Sequence, residues 1–84
     1  MKMPRLPVVS WKELVKLLTK LGYTFKRQGK GDHMIYSIRD PQSGPGIVSI
    51  PRHNEIDPGT LRSILEIVSD HTSYTTNDLI EMLK

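Results

Sequence analysis

From Trp11 onward the apolar residues fall at helical intervals. Trp11, Leu14, Val15, Leu18 and Leu21 recur at i, i+3, i+4 and i+7, which aligns them along one face of a helix. Ser10 precedes this run and Glu13 follows three residues later, the spacing of a capping box, while Val9 and Leu14 stand at the two positions of a hydrophobic staple. Gly22 closes the helix, because glycine adopts the left-handed backbone of a helix end without a Cβ clash. From Tyr23 the period drops to two, so Tyr23, Phe25 and Arg27 face one way and Thr24, Lys26 and Gln28 the other. Gly29-Lys30-Gly31 marks a turn. A second strand runs from Asp32 to about Arg39, with Met34, Tyr36 and Ile38 on one face and His33, Ile35 and Ser37 on the other. The segment from Asp40 to Gly46 carries too much proline and glycine to be anything but a loop. Ile47 to Ile50 form a third strand, which Pro51 ends or marks as a sheet edge.

Asp57 caps a second helix with Pro58 at its first position, where the missing N–H has no partner to lose. Ile56 and Leu61 pair as a second staple, and Leu61, Ile64, Leu65 and Val68 supply the apolar stripe. Beyond the loop at Ser69 to Ser73, a short helix starts at Thr75 or Thr76 and carries Leu79, Ile80 and Leu83. It is too short to stand alone in water, so it must dock on the domain or on a partner. The fold class is α+β, in the order α-β-β-β-α with a short C-terminal helix. A three-stranded antiparallel sheet carries its helices on one face and leaves the other wet. Tyr23, Phe25 and Tyr36 read as core, as does Trp11.

Length turns this order into one domain, residues 1–84, with a core over 10–68 and an extension over 69–84. A chain this short buries only around 60 to 65% of its unfolded surface, so chemistry belongs on an open face rather than in a deep pocket. The absence of cysteine excludes a disulfide framework and cysteine-ligated metal sites. Met1 to Val9 hold no apolar core of signal-peptide length, and no run reaches the ~18 apolar residues of a membrane span. A cytoplasmic protein without a membrane partner is expected.

Charge adds more. Lys and Arg outnumber Asp and Glu by 12 to 9, for a net charge of +3. Lys26, Arg27 and Lys30 crowd one hairpin, with Arg39 and Arg52 further along. Such a cluster suits a polyanion such as nucleic acid, and equally an ordinary solvated face.

Two segments could carry chemistry. In Gly29-Lys30-Gly31-Asp32-His33 a glycine-rich basic turn leads into a strand that begins with a histidine. Glycines let a ligand approach the backbone and expose N–H groups to phosphate, and an imidazole exchanges protons near neutrality. A tight hairpin followed by a surface histidine fits the same residues. In Ile50-Pro51-Arg52-His53, a strand end places Arg52 and His53 ahead of a helix N-terminus, whose field favours anions. There Glu55 and Asp57 compete for that field. A metal site is not expected: the histidines lack short ligand spacing, and Asp32 and His33 point to opposite faces.

Read together, Gly-Lys-Gly-Asp-His-Met-Ile-Tyr at 29–36, Ile-Pro-Arg-His at 50–53 and Gly-Thr-Leu-Arg-Ser-Ile-Leu at 59–65 resemble the HicA toxin family, from about Ser10 to Val68. The resemblance implies a fold similar to double-stranded-RNA-binding domains, a layout that the order of elements matches. It implies an endoribonuclease that cleaves single-stranded messenger RNA, with His33 as the essential histidine of a glycine-x-histidine motif. It also implies a HicB-type antitoxin that binds and blocks the toxin. Family members often carry serine where Asp32 stands here, and a carboxylate at that place favours the protonated imidazole. On this reading no cofactor or metal is needed. His33 is the general base, Lys26, Lys30 and Arg52 hold the phosphodiester, the amides of Gly29 and Gly31 assist, and His53 is the candidate proton donor. The open sheet face is expected to be basic and partly apolar, with Ile35 among Lys26 and His33. A non-catalytic RNA-binding module of the same fold, or a protein-interaction domain using the C-terminal helix, are the alternatives.

Overall fold

The computed structural model describes residues 6–84, so the expectation about a signal peptide lies partly outside the described residues, at 1–5. Its elements follow in the order α1 (Trp11–Lys20), β1 (Thr24–Gln28), β2 (His33–Ser37), β3 (Ile47–Pro51), α2 (Pro58–His71) and α3 (Thr76–Leu83). The strands form one antiparallel sheet in the order β1-β2-β3, and the fold is α+β with the double-stranded-RNA-binding-domain layout. The helix starts are those the capping residues specify. Ser10 and Glu13 close a reciprocal capping box on α1, Asp57 accepts from the N–H groups of Gly59 and Thr60 on α2, and Thr75 with Asp78 caps α3.

One core holds the layers together. Leu14, Leu17 and Leu18 of α1, Met34 and Tyr36 of β2, Val48 and Ile50 of β3, and the α2 stripe from Leu61 to Val68 are buried together. Leu79 and Ile80 seat α3, which packs against both α1 and α2. The short last helix is therefore stabilised by docking on its own domain. Among the described residues no helix is long and apolar enough to cross a membrane.

Four expectations change. β1 carries a bulge: Phe25 pairs with Tyr36, but Arg27 rather than Lys26 pairs with Ile35. Lys26 is the extra residue, and a one-residue slip exchanges the faces of everything beyond it. Arg27 thus joins the Ile35 face instead of the Tyr23 and Phe25 face. Phe25 is not core but 53% exposed, held edge-on against Tyr36 at a centroid distance of 5.7 Å on an edge strand. Trp11 is only partly buried and packs at the margin of the core. The second helix also runs further than its stripe suggested, to His71.

That extension buries a histidine. His71 is 4% exposed, and its Nδ1 shares a hydrogen bond of 2.8 Å with the Tyr23 hydroxyl, which ties the end of α2 to the start of β1. Burial pushes the imidazole pKa down, only partly opposed by the neighbouring Asp70 carboxylate, and burial raises the Tyr23 hydroxyl to about 12. Both groups are therefore neutral in the fold near neutral pH. An unfolded chain takes up a proton at His71 as pH falls through about 6.5, whereas the folded chain resists until a lower pH. Stability is thus complete above that value and declines as pH drops below it. Thermal unfolding between pH 8 and 5 is expected to show this decline, and His71→Gln should flatten it. An unchanged slope in the variant would assign the acid sensitivity elsewhere.

Candidate active site on the open sheet face

The hairpin between β1 and β2 folds tightly around His33. The backbone N–H of His33 donates to the carbonyl of Lys30 at 3.2 Å, and Gly29 N–H donates to the carbonyl of His33 at 2.7 Å. Gly29 sits in close approach: a Cβ there would lie 3.0 Å from Ile35 Cδ1 and 3.2 Å from the His33 carbonyl oxygen, so a side chain would crowd both. Gln28 clasps the turn from one side, its Nε2 donating to the carbonyls of Gly31 at 3.2 Å and of His33 at 3.0 Å.

The imidazole is held by the same turn. Nδ1 of His33 lies 3.1 Å from the Lys30 carbonyl oxygen. A carbonyl can only accept, so Nδ1 carries the hydrogen and the neutral ring keeps its lone pair on Nε2. The ring is exposed and stands on the sheet face opposite the core, since its strand neighbour Met34 is buried. Asp32 forms no ion pair with His33. Among the described residues the one salt bridge is Lys84–Glu81 at 2.9 Å, in keeping with the opposite faces expected for Asp32 and His33.

The cations are spread around this histidine. Lys30 is exposed in the turn, Lys26 is exposed at the bulge, and Arg27 stands across from Ile35, which is itself paired with Ser49 of β3. Ile35 is only 9% exposed, covered by the Gly29 turn, so the face is less apolar than expected. The N–H of Gly29 is engaged with the His33 carbonyl, so it does not point free toward a phosphate. Gly31 is exposed, with a positive φ of 61°.

The second motif is brought alongside by backbone. His33 pairs with Pro51, and the N–H of Arg52 donates to the Asp32 carbonyl at 3.1 Å. Its side chains go elsewhere. The Arg52 guanidinium lies 5.4 Å from the Trp11 ring centroid, toward α1, and the His53 carbonyl accepts from Trp11 N–H at 3.0 Å. The His53 side chain is exposed and makes no hydrogen bond with His33. Among the described residues no three His, Asp or Glu side chains gather as a metal ligand set.

Arg27 was already part of the basic hairpin cluster, but the bulge hid the face it occupies, and Gln28 escaped sequence reasoning because a turn clasp has no local signal. Gln28 orients His33 through backbone and does not itself reach the open face. Gln28→Leu is expected to let the imidazole exchange tautomers, visible in its ¹⁵N resonances. Any His33-dependent reaction should slow by about fivefold to tenfold, the equivalent of one hydrogen bond of about 1 kcal/mol. A variant with the parent tautomer and the parent rate would remove Gln28 from the site.

Residues 11–68 match a family model described as HicA toxin of bacterial toxin-antitoxin, well over half of the chain. No curated protein and no solved structure matches it.

Proposed function

The chain belongs to the HicA toxin family of bacterial toxin–antitoxin systems, and on that premise we propose that it is a cytoplasmic, metal-independent endoribonuclease cleaving single-stranded messenger RNA. Its partner is an antitoxin, by this reading of the HicB type. The observation that supports the catalytic assignment best is the hydrogen bond from His33 Nδ1 to the Lys30 carbonyl, which leaves Nε2 as the free acceptor on an open, basic face.

His33 Nε2 takes the proton of a ribose 2′-hydroxyl as that oxygen attacks the adjacent phosphorus. The bond from phosphorus to the 5′-oxygen breaks, the leaving oxygen takes up a proton, and a 2′,3′-cyclic phosphate and a 5′-hydroxyl end remain. Lys26 and Lys30 of the hairpin stabilise charge on the phosphate, and Arg27 joins them from the bulged strand. The Gly31 amide is a further candidate donor. His53, exposed beyond β3, is the candidate for protonating the leaving oxygen.

The test is incubation of the purified chain in EDTA with single-stranded RNA and with DNA of the same sequence. RNA should be cut and DNA bound but left intact, because DNA lacks the attacking hydroxyl. Cleavage of the DNA strand would overturn the mechanism. One observation favours a second reading, a non-catalytic RNA-binding module: among the described residues no other titratable side chain hydrogen-bonds the His33 ring. In that case RNA binds and stays whole.

A further inference from the structure

At the margin where β3 leaves the sheet and α1 begins, two cations converge on one indole. Arg52 lies 5.4 Å and the Lys12 ammonium 5.7 Å from the centroid of Trp11. A guanidinium over an aromatic face is immobilised there while its N–H donors, which lie in its own plane, stay available. Among the described residues Arg52 uses none of its side-chain donors, and neither it nor Lys12 reaches a carboxylate. The pair is therefore a preorganised, uncompensated cationic clamp. Its backbone is tied to the His33 strand by the bond from Arg52 N–H to Asp32, although its side chains lie on the helix side of that edge.

We infer that Trp11, Lys12 and Arg52 form a phosphate subsite for the RNA backbone, separate from the phosphate attacked beside His33. The inference rests on the RNA-cleavage reading and adds to it. A strand crossing the open face at His33 runs over the Pro51 end of the sheet, and a neighbouring phosphodiester reaches the clamp. There the planar fork of Arg52 meets two phosphate oxygens, and Lys12 adds a point charge. The substrate class implied is a single strand several nucleotides long rather than a dinucleotide. This site recognises backbone and not base sequence.

Trp11 is the sole tryptophan of the chain, so its emission reports on this site alone. The probe is an end-labelled RNA octamer carrying 2′-O-methyl groups throughout, which removes the attacking hydroxyl and keeps every phosphate. Binding read by the label's anisotropy should be accompanied by a change in Trp11 emission. Lys12→Ala, at an exposed helical position that alanine suits, should weaken binding by about fivefold at 0.1 M salt and lower the salt slope by about 0.7, the contribution of one phosphate contact on a single strand. Arg52→Ala should do the same. Octamer binding with constant Trp11 emission, or with parental affinity and slope in both variants, would overturn the subsite and leave RNA cleavage at His33 untouched. An octamer that fails to bind the parent chain overturns the subsite as well, and cleavage of unmodified RNA then decides separately whether the nuclease reading survives.

Discussion

His33→Ala is expected to reduce the single-turnover rate of RNA cleavage by about 10²–10⁴-fold, the usual contribution of a positioned general base, and to leave RNA affinity nearly unchanged. The physical basis is that the exposed ring joins the fold through one side-chain hydrogen bond only, from Nδ1 to the Lys30 carbonyl. His33 is exposed, and its backbone bonds to Lys30 and from Gly29 do not involve the imidazole. Removing the ring therefore deletes Nε2 and spares the turn. The surrounding cations, to which the proposed mechanism assigns binding, belong to other residues. Parent and variant should be compared in EDTA, with binding measured on an uncleavable strand. If both proteins cut at one rate, His33 is not the base. If neither cuts and both bind, the chain is an RNA-binding module.

The largest expected effect on stability comes from Leu65→Ala. Leu65 is 1% exposed on α2, within the cluster that also holds residues of α1, the sheet and α3. A leucine truncated at such a site destabilises a protein by about 2–5 kcal/mol, through lost transfer energy and the cavity left behind. A domain of this size has only about 4–13 kcal/mol in all. The midpoint of thermal unfolding should fall by about 4–8 °C per kcal/mol, which puts the variant near or past the limit of a folded population at 37 °C. Exposed Glu66→Ala, one residue further on the same helix, is the control and should change the midpoint little. An equal fall in both would point to a helix-wide effect rather than to core packing.

Most of the architecture was legible because it depends on local chemistry. Ser10 with Glu13 and Asp57 with Pro58 mark helix starts through groups only a few residues apart, and the structure has those caps. The Leu61 to Val68 stripe and the alternation of Met34 and Tyr36 are equally local, because the helix and strand periods are properties of the backbone. Buried Ile35 was less legible: alternation sets the face of a residue but not what else lies on that face, and here the Gly29 turn covers it.

The candidate site divides along the same line. The order of residues on the chain singled out His33 and its glycine turn, and the family resemblance, now matched over 11–68, gave that histidine a role to test. Pairing between strands decided the rest. A bulge is a mismatch in the lengths of two strands, set by both at once, so no pattern within β1 could say that Arg27 and not Lys26 stands opposite Ile35. Likewise the tautomer of His33 follows from where the Lys30 carbonyl points once the hairpin closes. The meeting of Lys12, Trp11 and Arg52 joins residues some forty positions apart. Periodicity and caps are written in neighbouring residues, but register, ring orientation and long-range contacts exist only when the sheet and helices have packed.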